Sequence, residues 1–114
     1  NASFIKFTVA GNTANIFISP MLFIPFIENA FKHGVKSTAD PITIDLRAEK
    51  EEIHFRCSNT KRQLRENEKR ESHGIGIQNI RRRLDYLYSG RYSLEINEND
   101  KFYSVYLKVK CHEN

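Results

Sequence analysis

One stretch of the chain decides the fold: Ile24-Pro25-Phe26-Ile27-Glu28-Asn29-Ala30-Phe31-Lys32-His33-Gly34. Apolar side chains recur at helical spacing over residues 22–31 and form one broad face, which is typical of a helix packed against a core. The pair Ser19-Pro20 predicts where this helix begins, and Gly34 is a residue type that commonly follows a last helical turn. Pro25 lies inside the predicted helix, where it removes a backbone donor, so we expect a kink at that position.

Alternating apolar residues predict strands on both sides of this helix. Residues 5–9 and 15–18 before it form a predicted hairpin, and four strands are predicted after it, over residues 42–48, 53–57, 92–96 and 103–109. A second helix is predicted to start at Ile77, and its inward face is Ile77, Ile80, Leu84, Leu87 and Tyr88. This order predicts an α+β fold: a two-layer sandwich with both helices on one face of a mixed, mostly antiparallel sheet.

The composition is that of one globular domain spanning residues 1–114. Hydrophobic residues make up 39% of the chain and charged residues 28%, proportions that argue against a disordered chain. The net charge of +4 is a mild excess, much of it in residues 61–70 and 81–83, and solubility is its simplest explanation. Cys57 and Cys111 lack the spacing of a metal site, so we expect free thiols.

The first helix carries polar residues on the side opposite its apolar face. Glu28, Asn29 and Lys32 fall on that side, and His33 lies at its border. A carboxylate, an amide and a cation within two turns suit Mg²⁺, which prefers oxygen ligands, and a phosphate, which a lysine neutralises. A solvated polar face is the alternative explanation, and the spacing alone favours that alternative.

A second candidate segment is Gly74-Ile75-Gly76, which follows the polar stretch 60–73 and leads into the second helix. Glycines let backbone amides approach an anion closely, and a helix N-terminus adds positive potential. Two glycines before a helix usually form only a turn. Together with the polar face of the first helix, however, they predict a nucleotide site built from two parts.

Two long runs resemble one protein family. PMLFIPFIENAFKHG, residues 20–34, resembles the asparagine-box helix of LytS-like sensor histidine kinases, and GIGIQNIRRRLDYLY, residues 74–88, resembles their second glycine box and the helix after it. Both runs occur in the family's order and spacing, and the resemblance extends over residues 16–109. It implies an ATP-binding domain with the Bergerat (GHKL) fold, in which ATP lies between the first helix and a lid.

The resemblance also implies roles for the polar residues of the first helix. Asn29 matches the asparagine that holds Mg²⁺ between the ATP phosphates, so it is the expected metal ligand. Glu28 matches the neighbouring acidic position and is expected to act with Asn29 in catalysis. Lys32 and His33 match positions that line the phosphates. The implied cofactors are therefore ATP and Mg²⁺.

The lid and the adenine end are assigned in the same way. Gly74-Ile75-Gly76 matches the end of the ATP lid, which would span residues 60–73. The family's Asp-Asn-Gly, whose carboxylate accepts a hydrogen bond from the adenine amino group, is replaced by Ser58-Asn59-Thr60. Ser58 would then contact adenine with a weaker, uncharged acceptor, or would merely end a strand. A third possibility is that Asn59 and a water molecule replace the carboxylate.

The resemblance further implies phosphoryl transfer rather than ATP hydrolysis. Pro25 stands where the gyrase branch of the fold has its water-activating glutamate, one turn before Asn29. None of the four histidines lies in the family's phosphoacceptor motif, so we expect the γ-phosphate to go to a histidine of an upstream dimerisation domain.

The expected whole protein is a homodimer at the inner membrane with this domain in the cytoplasm. A response regulator, in this family often of the LytTR type, would receive the phosphate. A degenerate module used only for protein contacts is the alternative. Nucleic acid is not an expected partner, because no aromatic residues interleave with the basic run at 81–83.

Overall fold

A computed structural model of the chain describes residues 5–11, 20–62 and 75–111. These residues form five strands, two α-helices and a short 3-10 turn. In chain order the elements are β1 (Ile5–Gly11), the 3-10 turn (Pro20–Leu22), α1 (Ile24–His33), β2 (Ile42–Glu49), β3 (Glu52–Thr60), α2 (Ile75–Leu87), β4 (Tyr92–Glu98) and β5 (Phe102–Lys110). No helix within these residues is long and apolar enough to cross a membrane.

The strands form one mixed sheet in the order β1-β2-β3-β5-β4. β1 pairs with β2 in parallel, and the three other pairings are antiparallel. Parallel neighbours need a crossover connection, and α1 lies in the connection between these two strands. The predicted α+β fold with a mixed, mostly antiparallel sheet is confirmed. The predicted hairpin partner of β1, residues 15–18, lies outside the described residues.

The core lies between the helices and one face of the sheet. The apolar face of α1 and the turn before it is buried as predicted, with the rings of Phe23 and Phe55 stacked at 4.8 Å between centroids. Phe26 packs on the same ring of Phe55 at 6.0 Å. From α2, Ile80 and Leu84 enter this core. The sheet contributes alternate residues of its strands: Ile42, Ile44, Ala48, Ile53, Phe55, Cys57, Val105, Leu107 and Val109.

Two sequence-based expectations about the helices were wrong. α1 begins at Ile24, so Pro25 lies in the first turn, where its missing N–H would have had no helical partner. The predicted kink therefore has no cause. In α2, Leu87 is 43% exposed instead of facing the core. It follows Leu84 by three residues, so it falls at the edge of the buried stripe, whereas Tyr88 follows by four and packs against the core.

Both cysteines are free thiols, and Cys57 lies in the core with 3% of its surface exposed. Its Sγ donates a weak hydrogen bond to the carbonyl oxygen of Phe26, 3.9 Å away. Burial raises the pKa of Cys57 from 9.0 to about 11, because the core cannot solvate a thiolate. The folded protein therefore holds this thiol in its neutral form.

We expect this shift to make stability pH-dependent in the alkaline range. The folded state binds the thiol proton more tightly than the unfolded state, so the contribution of Cys57 is complete below pH 9 and lost as the pH rises towards 11. The loss should be about 3 kcal/mol in the free energy of unfolding. Urea denaturation at pH 8, 9, 10 and 11 measures this loss. The free energy of unfolding of the Cys57→Ala variant should lack this part of the pH dependence. Parallel pH profiles of the two proteins would contradict the prediction.

Candidate functional site

The polar face of α1 presents two pairs of side chains spaced by four residues. Glu28 and Lys32 form one pair and are exposed, whereas Asn29 and His33 form the other and are half-buried. Neighbouring positions on the helix, Phe26 and Ala30 among them, are buried in the core. The structure therefore brings all four predicted α1 residues to one side of the helix.

The end of α1 is hydrogen-bonded to the end of β3. The N–H of Val35 donates to the carbonyl oxygen of Thr60 at 2.8 Å, and the N–H of Arg62 donates to that of His33 at 3.0 Å. Gly34 and Lys61 form an antiparallel bridge between these two bonds. This short ladder fixes the polar face of α1 relative to the last residues of β3.

Gly34 is required at this junction because the two segments approach closely. A Cβ atom added there would lie 2.4 Å from the carbonyl oxygen of Ala30 and 3.0 Å from the Cβ of Asn59. The first distance involves backbone, which cannot move without disturbing the end of α1. Gly34, which the sequence predicts to follow the last helical turn, therefore also leaves room for Asn59 beside the helix.

We expect Gly34→Ala to lower the free energy of unfolding by about 1–3 kcal/mol, the range of an overpacked core site. Gly76→Ala is the matched control, since no described residue lies within 4 Å of an added Cβ there and Gly76 is helical. Alanine favours a helix over glycine, so the control should gain up to about 1 kcal/mol. Chemical denaturation of both variants measures the two changes; a Gly34→Ala protein as stable as the control would refute the steric argument.

Asn59 is a buried polar residue near the end of β3, with 5% of its surface exposed. It alternates with Phe55 and Cys57, so its side chain lies on the face of the sheet that the helices cover. Its Nδ2 donates to the carbonyl oxygen of Thr60 at 3.3 Å. An amide with donor and acceptor groups therefore lies next to Gly34, at the base of the α1 polar face.

Ser58 lies on the other face of the sheet. Its hydroxyl forms a short hydrogen bond with the hydroxyl of Thr43, whose neighbours on β2, Ile42 and Ile44, point into the core. Successive side chains of a strand alternate between faces, so Ser58 and Asn59 cannot both face α1. The structure thus separates two residues that the sequence placed together at the adenine end.

Tyr103 was not singled out by sequence reasoning, but it is the cross-strand partner of Asn59 on β5. Burial raises the pKa of its hydroxyl, and the nearby carboxylate of Glu98 raises it further. The phenol is therefore neutral over the physiological range. The alternating pattern of both strands could have identified Tyr103 from the sequence, but only if the β3–β5 register had been known.

The second predicted part of the site lies partly outside the described residues. Gly74 and residues 63–73 of the predicted lid are not described, and Thr60 belongs to β3 instead of the lid. α2 begins at Ile75, two residues before the predicted start, so Ile75 and Gly76 form its first turn. Gly76 is exposed, and the first backbone amides of the helix have no helical partners. The N-terminus of α2 therefore presents backbone donors of the kind that can bind an anion.

Magnesium fits the polar face of α1 through one protein oxygen. The Oδ1 of Asn29 is of the ligand type that Mg²⁺ prefers, and phosphate oxygens and water commonly complete its six positions. Within the described parts of the chain, no three His, Cys, Asp or Glu side chains are grouped to hold a metal ion. The donor set therefore suits a cation that arrives with its phosphates.

The comparisons with known proteins agree with this fold. A family model described as the GHKL domain matches residues 18–110. The catalytic domain of histidine kinase ThkA is similar with a TM-score of 0.61 at 11% identity, covering 95% of this chain and 80% of that one. The Acinetobacter baumannii histidine kinase AdeS gives 0.64 at 8% identity, covering 97% and 56%. The histidine kinase domain of Erythrobacter litoralis EL346 gives 0.58 at 18%, covering 94% and 52%.

No curated protein matches the sequence. At these identities the similar structures show the fold, and this chain spans little more than half of the AdeS and EL346 chains. The family model carries more weight, because it matches most of the sequence and includes α1, β3 and α2. By that match, this chain belongs to the GHKL domain family and has the fold of histidine kinase catalytic domains.

Proposed function

We propose that this chain binds MgATP and presents its γ-phosphate to a histidine of an upstream dimerisation domain. One observation carries the proposal: the polar face of α1 and the buried Asn59 lie at two ends of one junction, held together by the 33–35 and 60–62 ladder. Such a site can hold a nucleotide, with charge and oxygen ligands for its phosphates at one end and a hydrogen-bonding group for its base at the other.

At the phosphate end, Asn29 would hold the metal and Lys32 would neutralise a phosphate oxygen. His33 would line the phosphates, and Glu28 would orient groups at the edge of the face. Bound Mg²⁺ supplies charge neutralisation between the phosphates, so the protein's own part is positioning. The amides of the Gly74-Ile75-Gly76 segment would add donors from the N-terminus of α2.

At the base end, Asn59 takes the place that the sequence offered to Ser58. Asn59 faces the helices and lies beside the end of α1, whereas Ser58 is hydrogen-bonded to Thr43 on the far face. The Oδ1 of Asn59 would accept a hydrogen bond from the adenine amino group. Tyr103, across the β3–β5 pair, would border the same pocket.

Phosphoryl transfer, and not hydrolysis, is supported by the first turn of α1. Pro25 is four residues before Asn29, so no carboxylate stands there to activate a water molecule. Neither described histidine lies in the family's phosphoacceptor motif: His33 lies on α1 at the phosphate end, and His54 is hydrogen-bonded to Tyr106 at 2.6 Å on the sheet face opposite the helices. We therefore propose that an upstream dimerisation domain supplies the acceptor histidine and the dimer contacts, and that a response regulator of the LytTR type receives the phosphate.

Binding measurements test the proposal. MgATP, MgADP and a DNA duplex are titrated separately into the purified chain, and we expect saturable binding of both nucleotides. Transfer is tested by adding the dimerisation domain of the same full-length protein and scoring acid-labile, base-stable phosphate on it. No nucleotide binding at millimolar MgATP would favour the degenerate module. Salt-sensitive DNA binding without any nucleotide effect would favour a nucleic-acid role.

A further inference from the structure

We propose that the base end of this site reads the six-position of a purine with an amide, and so takes 6-oxopurine nucleotides as well as adenine nucleotides. The proposal rests on the function proposed above and concerns the substrate range of the same site. It depends on three features of the described residues: the burial of Asn59, the hydrogen bonds around its amide, and the partner strand position held by Tyr103.

The amide of Asn59 has unused hydrogen-bonding capacity. Its Nδ2 donates to the Thr60 carbonyl oxygen at 3.3 Å, and no described residue is hydrogen-bonded to its Oδ1. One N–H of Nδ2 is also left to donate to a ligand, since a carboxamide has two donor hydrogens and an acceptor oxygen with two lone pairs. Among the described residues, Asn59 has no side-chain atom that is both fully buried and unpaired, so its remaining amide groups reach the surface, where a ligand can pair with them.

An amide and a carboxylate discriminate differently between purines. An ionised carboxylate can only accept hydrogen bonds, so it pairs with the 6-amino group of adenine. It cannot pair with a 6-oxo group, because both are acceptors. The amide of Asn59 can accept from the 6-amino group through Oδ1 or donate to a 6-oxo group through Nδ2. The residue at this position therefore gives the site no means of rejecting a 6-oxopurine.

Turning the amide costs little because its present bond is long. The 3.3 Å contact to Thr60 exceeds the usual 2.9–3.0 Å, and the Thr60 oxygen also accepts from the N–H of Val35 at 2.8 Å. That oxygen stays paired when Nδ2 swings away. Tyr103 adds no discrimination either, because its neutral hydroxyl both donates and accepts.

The test compares the dissociation constants of MgATP and Mg-inosine triphosphate, which carries the 6-oxo group without the 2-amino group of guanine. For the chain itself we expect the two constants to agree within about tenfold. In Asn59→Asp the preference for MgATP should rise by at least about tenfold, because the carboxylate repels the 6-oxo group and strengthens the bond to the 6-amino group. Asn97→Asp, the same change at an exposed position of β4, should leave the ratio unaltered.

A third nucleotide keeps the test decisive if Asn59→Asp does not fold. Purine riboside triphosphate has no group at the six-position, and the wild-type chain should bind it more weakly than either of the other two. Inosine triphosphate binding more than about 100-fold weaker than ATP overturns the inference and leaves the proposed function standing. Equal affinity for all three nucleotides also overturns it, since the amide would then not read the base. Failure to bind any of them overturns the proposed function and this inference together.

Discussion

Replacing Asn29 by alanine is expected to weaken MgATP binding by at least about 100-fold, which corresponds to about 2.7 kcal/mol. In the proposed function the amide oxygen of Asn29 is the metal ligand, and an alanine leaves a position that the helix backbone cannot fill. Asn29 is half-buried on the polar face, so the substitution should lower MgATP affinity without disturbing the buried side of the helix. Isothermal titration calorimetry with MgATP measures the change.

The matched control is Asn97→Ala, which removes the same amide from an exposed position of β4. It should bind MgATP as the unchanged chain does. A second arm uses ATP with a chelator in place of Mg²⁺, where Asn29→Ala and the unchanged chain should differ much less. If Asn29→Ala binds MgATP normally, the metal is held elsewhere and the phosphate end proposed for α1 is wrong.

Phe55→Ala is expected to lower the free energy of unfolding by about 3–5 kcal/mol, the range for removing a buried aromatic ring. Phe55 is 1% exposed, and two rings from the helical layer, Phe23 and Phe26, pack on it. Its loss opens a cavity where α1 meets the sheet, so the helix loses its main contact with β3. Domains of this size are stable by about 5–15 kcal/mol, so this variant could populate its unfolded state.

Phe102→Ala provides the comparison, because Phe102 lies on β5 of the same sheet but is 53% exposed. Its loss should cost less than about 1 kcal/mol. Urea denaturation followed by circular dichroism gives both values under the same conditions. Equal losses in the two variants would show that the contact between α1 and the sheet does not dominate stability.

Much of this architecture follows from periodicity. The buried side of α1 and the strands 42–49, 52–60, 92–98 and 102–110 match their apolar patterns, because one side of each element must leave water. The polar cluster of α1 follows from the same pattern, since residues excluded from the buried stripe share the opposite side. Family resemblance then supplied the chemistry that the spacing alone left open.

Other features depended on information that local sequence does not hold. The parallel pairing of β1 with β2 joins segments more than thirty residues apart, so the pattern of β1 alone could not indicate it. Ser58 and Asn59 stayed interchangeable because the predicted strand ended at Cys57, whereas β3 continues to Thr60 and its alternation places them on opposite faces. Pro25 was misjudged because the helix was assumed to begin at Pro20, whereas the chain forms a separate 3-10 turn first.

The ladder between residues 33–35 and 60–62 also bears on local unfolding. The amides of Val35 and Arg62 exchange with solvent only when α1 and the end of β3 part, so each amide reports the opening of both ends of the site at once. A ligand that binds the closed form alone shifts this opening equilibrium by mass action. Base contacts at Asn59 and phosphate contacts at Asn29 would then reinforce each other through a common opening event, without any movement of the sheet.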